Sequence, residues 1–165
     1  MSLIQDQIRS TALRYGVDPA IALAVAQQES GFSQGARGAA GEVGVYQLMP
    51  GTASDLGVNP YNETQNIEGG ISYLAQLYRQ FGDWTKALAA YNGGQGNMAR
   101  GTTPPQSWEY AQSVLGRAEI FGGATETDPS QPQLASVLPD LSNIPAWVWW
   151  TGGAVLVGAL VLKRD

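Results

Sequence analysis

With 165 residues and neither histidine nor cysteine, the chain has room for one ordinary domain and an appendage, and its acid–base chemistry must rest on carboxylates, tyrosines or lysines. Disulfides, thiol nucleophiles, imidazole bases and the usual zinc sites are excluded. The formal charge is −5, with no basic run before the last three residues, which excludes a nucleic-acid grip built from clustered Lys and Arg.

Met1 to Asp6 lacks the charged start and apolar run of a secretory signal. Residues 4–15 predict a helix with Ile4, Ile8 and Leu13 as its apolar face. After a turn at Gly16, Asp18 and Pro19 open a second helix over 19–30, since Asp caps free amides and Pro fits the first helical position. Ile21, Ala22, Val25 and Ala26 repeat at helical spacing, and Glu29 falls four residues beyond Val25 on the same stripe. Ser30-Gly31 then stops the helix. A carboxylate aimed along a buried stripe resists ionisation, so its pKa rises toward the range of a general acid working near neutral pH. The bland alternative is a partly exposed Glu at a frayed helix end, or one paired with Arg14 or Arg37.

The glycine-rich stretch 31–44 predicts a mobile lip, and Met49-Pro50-Gly51 a turn. Thr52 is expected to cap a brief helix ending at Gly57, followed by a turn at Asn59-Pro60. Ile67, Ile71, Leu74, Tyr78 and Phe81 then predict a long helix whose apolar face packs in the core, capped by Thr64 or Asn66. Asp83 caps the next helix, with Trp84, Leu88 and Tyr91 on one face and Asn92-Gly93 as its end. Gly93 to Gly96 follows a helix pattern rather than a strand and reads as a stop and turn, not a phosphate cradle. A last helix, about 107–117, sets Tyr110 beside Val114. No alternating strand pattern appears, so the domain is expected to be mainly α.

Beyond Phe121 the composition shifts. Residues 122–143, rich in Pro, Gly, Ser, Thr and Gln, predict a flexible linker that spans at most about 70 Å when fully extended. No charge interrupts Ile144 to Leu162, and about 19 helical residues at about 1.5 Å each cover roughly 28 Å, close to a bilayer core. Trp147, Trp149 and Trp150 crowd one end as interfacial aromatics do, and the basic tail 163–165 closes the other. The expected architecture is a domain over 1–121, a tether over 122–143 and one transmembrane helix over 144–162. Ala154 and Gly158 add a small-residue pair that hints at self-association.

Four motifs occur in register: Gln28-Glu29-Ser30-Gly31-Phe32; Gly44-Val45-Tyr46-Gln47-Leu48-Met49-Pro50; Asn66-Ile67-Glu68-Gly69-Gly70; and Ala87-Leu88-Ala89-Ala90-Tyr91-Asn92-Gly93-Gly94. In that order and spacing, residues 5–117 resemble the soluble lytic transglycosylase (SLT) family, relatives of goose-type lysozyme. The resemblance implies a lysozyme-like fold with a glycan groove between two lobes. It also implies cleavage of the β-1,4 bond between N-acetylmuramic acid and N-acetylglucosamine in peptidoglycan, with neither cofactor nor metal.

By the same resemblance, Glu29 is the catalytic acid, which then takes a proton from the muramic acid C6 hydroxyl to leave a 1,6-anhydro sugar. Ser30, Tyr46, Gln47, Met49, Tyr91, Asn92, Gln106 and Tyr110 fall on substrate-contacting positions, with Tyr91 close to the acid. Ser30 also reads as a helix stop, Tyr91 and Met49 also as packing residues. Glu42 and Asp55 are the nearest later acids, and neither falls where the family places a second catalytic carboxylate. Three departures stand out. Val45-Tyr46 replaces the family's Leu-Met, Gln106 sits where a second Glu is expected, and the 31–44 segment is long and glycine-heavy. The expected partners are peptidoglycan strands and a bilayer, not nucleic acid. A virion membrane of a membrane-containing bacteriophage, or a bacterial inner membrane bearing a secretion or conjugation apparatus, would suit such an enzyme. The competing readings are a hydrolytic muramidase and a non-catalytic peptidoglycan-binding membrane protein.

Overall fold

The computed structural model describes residues 2–123, which belong to one unit, Met1–Glu126. Seven helices follow in order: α1 (Leu3–Tyr15), α2 (Pro19–Ser30), α3 (Pro50–Asp55), α4 (Glu63–Phe81), α5 (Trp84–Gly93), α6 (Gln95–Arg100) and α7 (Pro105–Gly123). Among the described residues the only extended pairing is two isolated antiparallel bridges, Arg37 with Val43 and Val43 with Leu48.

Helix α2 is the axis of the fold. The Asp18 carboxylate accepts from the Ala20 amide, Pro19 occupies the first turn, and Gly31 closes the other end in the left-handed region at φ 60°. Every side chain from Ile21 to Ala26 is buried, so the helix is enclosed all round rather than along a stripe. Helices α1 and α7 pack on it, α4 packs on α1 and α5, and α5 packs on α7. Ile8, Leu23, Ile67, Ile71, Leu74, Leu88 and Val114 fill the space between them.

Several local expectations change. Ile8 of the expected α1 face is buried, but Leu13 is half exposed and α1 turns in Ala12 instead. On α4, Leu77 is fully buried while Tyr78 lies at the rim, stacked on Trp84 with ring centroids 4.3 Å apart. The cap of α4 is Asn62, whose Oδ1 accepts from the Gln65 amide, so Thr64 and Asn66 lie inside the helix. Helix α3 starts at Pro50 rather than at a Thr52 cap. Residues 95–100 form a short helix where a turn is expected, because Gly94 at φ 89° redirects the chain at once. Helix α7 runs from 105 to 123, longer at both ends than 107–117, and carries the first two residues of the expected linker. No helix among the described residues is long and apolar enough to cross a membrane, and the expected span 144–162 lies outside them, as does the rest of the linker.

Gly69 and Gly70 leave a mid-helix weakness in α4, where each costs up to about 1 kcal/mol relative to Ala. Close packing explains them. A Cβ on Gly70 would collide with the Tyr46 ring, and one on Gly69 would come within 2.8 Å of Val58. Bare backbone lets the Tyr46 ring lie directly on the helix.

Candidate active site

Glu29 sits on the last turn of α2, half buried, and accepts a hydrogen bond from the Tyr110 hydroxyl of α7 at 2.5 Å. Burial pushes the Glu29 carboxyl above its ordinary range; the Tyr110 hydrogen bond pulls it back, and the negative charge of Glu42 pushes it up again. Neither arginine neutralises it. Arg14 pairs with Glu68 at 3.0 Å, and Arg37 donates to the Gln34 and Ala36 carbonyls. Tyr110 itself is driven well above the usual phenol range by burial and by the charge of Glu29, so it remains a proton donor at any working pH.

Beside this pair, α7 is clamped to α2. The Gln28 side-chain oxygen accepts from Arg117 Nε at 2.7 Å and from the Ser113 hydroxyl at 3.3 Å. The clamp fixes the register of Tyr110 over Glu29. Two residues of adjacent turns on α7 thereby act on one turn of α2.

The 43–49 segment flanks the same end of α2 and is held by side chains that donate to backbone or accept from it. Ser30, next to Glu29, donates its hydroxyl to the Val45 carbonyl at 2.8 Å and to Ala26 at 3.2 Å, and accepts from the Ser33 amide. Asn66, fully buried, accepts from the Tyr46 amide at 2.8 Å and donates to the carbonyls of Val43 and Pro60. The Tyr46 hydroxyl donates to the Ala22 carbonyl of α2 at 3.0 Å, and its own carbonyl accepts from the Tyr91 hydroxyl at 2.7 Å. Gln47 turns the chain at φ 43°, a left-handed conformation that costs a non-glycine residue roughly 1 kcal/mol or more, and ties its amide to the Gly44 carbonyl.

The residues expected at the site therefore divide. Tyr46 has no exposed surface, and its side chain braces α2 rather than lining a surface. Ser30 spends its hydroxyl on the loop. Tyr91, expected close to the acid, feels the charge of Glu29, but its hydroxyl donates to the Tyr46 carbonyl and its ring lies against Tyr73, with ring centroids 5.5 Å apart. The phenol on Glu29 is Tyr110. Met49 is exposed, Gln47 half buried, and Asn92 exposed at the end of α5 with its side-chain oxygen accepting from the buried Ser107 hydroxyl. Gln106 is exposed on the first turn of α7, next to that junction.

Gln34 carries a positioning role that the residue pattern does not single out, and Asn66, read from the sequence as a motif residue and a candidate cap, carries another. Gln34 donates to the Pro60 carbonyl at 2.9 Å and accepts from the Val45 amide at 3.4 Å. The available signal is an amide one place before Ile67, at the edge of the apolar stripe. Of the two nearest later acids in sequence, Glu42 is the one whose charge raises the Glu29 carboxyl. The Glu42 carboxylate accepts from the Ala40 amide at 3.0 Å and fills the space where a Gly38 side chain would stand. Among the described residues no group of three acids, His or Cys is arranged to hold a metal.

A mainly helical, lysozyme-like fold with a half-buried glutamate at the end of its enclosed central helix defines a class, and the Transglycosylase SLT domain model matches residues 6–112: the chain belongs to that family. Among its relatives is the transglycosylase of Enterobacteria phage PRD1, 40% identical over 90 residues that make up 54% of this chain and 34% of the phage protein. Membrane-bound lytic murein transglycosylase C of Haemophilus influenzae is 34% identical over 113 residues, covering 56% of this chain and 32% of that protein. The chain thus spans about a third of the length of these curated relatives. The fold also superposes on lytic transglycosylase Slt of Pseudomonas aeruginosa, solved as an inactive mutant, with a TM-score of 0.64 at 28% identity over 72% of this chain and 24% of that one.

Proposed function

We propose that this chain is a peptidoglycan lytic transglycosylase that cleaves the β-1,4 bond between N-acetylmuramic acid and N-acetylglucosamine. The observation that carries the reading is Glu29: a carboxyl whose pKa is raised by burial, with no cation paired to it among the described residues, and held by the Tyr110 hydroxyl. In its protonated form Glu29 donates to the glycosidic oxygen as the C1–O bond breaks. The resulting carboxylate takes the proton of the C6 hydroxyl as O6 bonds to C1. The acid is restored, no water is consumed, and the product is a 1,6-anhydromuramoyl sugar. The substrate lies in a glycan groove along this face. Gln47, Met49, Asn92 and Gln106 are its contact residues, while Ser30, Tyr46 and Tyr91 act through the loop they hold.

A hydrolytic second reading has one observation in its favour, the charge of Glu42 acting on Glu29. Most glycosidases use two carboxylates, and a second one could activate water. Mass spectrometry of released muropeptides, for the full chain beside Glu29→Gln, separates the readings. Products one water lighter than reducing muropeptides, lost in the variant, support the transglycosylase. Hydrated products support the muramidase, and binding without turnover would leave a peptidoglycan-binding protein.

The proposed setting follows from the tail. A tether over 122–143 and a span over 144–162 would hold the domain, residues 1–121, at a membrane close to the wall. Relatives named as a phage transglycosylase and as membrane-bound murein transglycosylases are compatible with local wall opening during phage infection or at an inner membrane. Fractionation with protease protection tests it; a protein wholly released from membranes would rule the anchor out.

A further inference from the structure

Arg37 of the 31–44 segment forms a cation–aromatic pair with Tyr61 that has no part in the chemistry above. The Arg37 guanidinium lies 5.3 Å from the centroid of the Tyr61 ring, and Tyr61 is 63% exposed. Arg37 is oriented by its own segment, since Nη1 donates to the Gln34 carbonyl at 3.1 Å and to the Ala36 carbonyl at 2.7 Å. Tyr61 is fixed as well. Its amide donates to the Asn59 side chain at 3.0 Å, and the Pro60 carbonyl before it accepts from both Gln34 and Asn66. The two residues come from loops 24 positions apart that are tied together by amide side chains.

Among the described residues Arg37 has no carboxylate partner, in a chain with more acids than bases. The nearest acid in sequence, Glu42, lies on the same hairpin, but its carboxylate is turned onto the Ala40 amide. Nη1 is occupied by backbone, which leaves the other edge of the guanidinium, Nε and Nη2, for an external acceptor; a carboxylate fits that fork. The exposed ring beneath offers an apolar face to the carbon skeleton carrying the carboxylate.

The pair also adjoins the reacting end of the molecule. Arg37 bridges Val43, the Ala36 carbonyl accepts from the Gly44 amide, and Val45 of that segment is bonded to Ser30 beside Glu29.

We infer that Arg37 and Tyr61 form a carboxylate-binding subsite for the stem peptide of the glycan strand, the guanidinium pairing with a peptide carboxylate and the ring covering its aliphatic carbons. The inference takes its ligand from the transglycosylase reading. It also gives the domain a cationic contact for the peptide, distinct from the neutral Gln106 at the start of α7.

The test compares full-length wild type, Arg37→Gln, Arg37→Lys and Tyr61→Ala on peptidoglycan strands that carry stem peptides and on strands stripped of them by an amidase. Arg37→Gln is expected to raise KM about fivefold on stem-bearing strands, as suits one solvent-accessible charged pair, with kcat within about twofold. On stripped strands it should match wild type. Arg37→Lys restores part of the loss, and Tyr61→Ala shows a smaller loss with the same substrate dependence. Equal losses on both substrates, or none on stem-bearing strands, would overturn the subsite. Binding of a disaccharide-tripeptide and of the bare disaccharide to the Glu29→Gln chain probes the same contact without turnover. Loss of the peptide's contribution in an added Arg37→Gln change supports the subsite, and its persistence refutes it. Wild type that binds both ligands but cuts neither strand refutes the enzyme reading alone.

Discussion

Helix α2 and the 43–49 segment flank the same carboxyl group and both bury apolar side chains, but their backbones are held by different means. The helix is fixed by apolar burial on all sides, with six consecutive residues, Ile21 to Ala26, removed from water. The segment also buries Val43, Val45, Tyr46 and Leu48, but it has no ladder of its own beyond isolated bridges, and polar side chains from Ser30, Gln34, Asn66 and Tyr91 reach its backbone. Apolar packing positions the acid but is indifferent to small rotations of a loop. Hydrogen bonds are directional, and unmade ones are expensive when buried, so they set the loop to a single shape. The site uses the first for placement and the second for definition.

The comparison breaks most sharply at the acid itself. Glu29→Gln keeps the helix and can still accept from Tyr110, yet it has no proton to give, so turnover of peptidoglycan should fall at least about a hundredfold. The same variant should unfold less readily at neutral pH. A carboxyl whose folded-state pKa is raised holds its proton more tightly when folded, so its contribution to stability is complete below the unfolded value and is lost as pH rises through the folded one. The Gln variant escapes that loss. Its advantage in thermal unfolding should therefore shrink toward nothing as the pH is lowered past the usual carboxylate range.

Breaking the polar half needs Asn66. Asn66→Ala strands the buried Tyr46 amide and takes one of two donors from each of the Val43 and Pro60 carbonyls, which keep the Leu48 amide and Gln34, and should cost about 2 kcal/mol in denaturant unfolding. A cost below about 1 kcal/mol would mean that the segment is held by packing after all.

Two finer changes sharpen the assignment of the tyrosines. Tyr110→Phe removes the hydrogen bond that lowers the Glu29 pKa, so the alkaline fall of kcat/KM should move to higher pH, with roughly a tenfold loss of rate. Tyr91→Phe should leave that limb in place and cost about 1 kcal/mol of stability, because its hydroxyl serves the Tyr46 carbonyl. Glu42→Gln gives the smallest effect and the opposite sign. Removing a neighbouring negative charge moves the alkaline limb to lower pH.

Much of this is legible in the chain, and the reason differs from residue to residue. Asp18-Pro19 and Ser30-Gly31 delimit α2 at its observed ends because capping is local chemistry, decided within one turn. Asp83 caps α5 for the same cause. Leu13, Tyr78 and Leu77 depart from their periodic pattern because a face's true limits depend on which neighbour covers it, and spacing leaves that open. The cap of α4 falls on Asn62 because several polar residues in a row can all accept from a free amide, and the entering loop chooses among them.

The sequence by itself determined that any general acid here must be a carboxylate, that Glu29 is carried on an apolar helix, and that the domain is helical. These follow from residue types and from short-range periodicity, which need no knowledge of what lies across the core. The tertiary structure alone decided which phenol touches Glu29, which acid lends it charge, and that Tyr46 and Ser30 serve the scaffold. Tyr110 is 81 positions from Glu29 and Tyr91 is 62, so neither spacing nor propensity could rank them. Only the docking of α7 on α2, fixed by Gln28 and Arg117, brings one hydroxyl onto the carboxyl and leaves the other on a loop carbonyl.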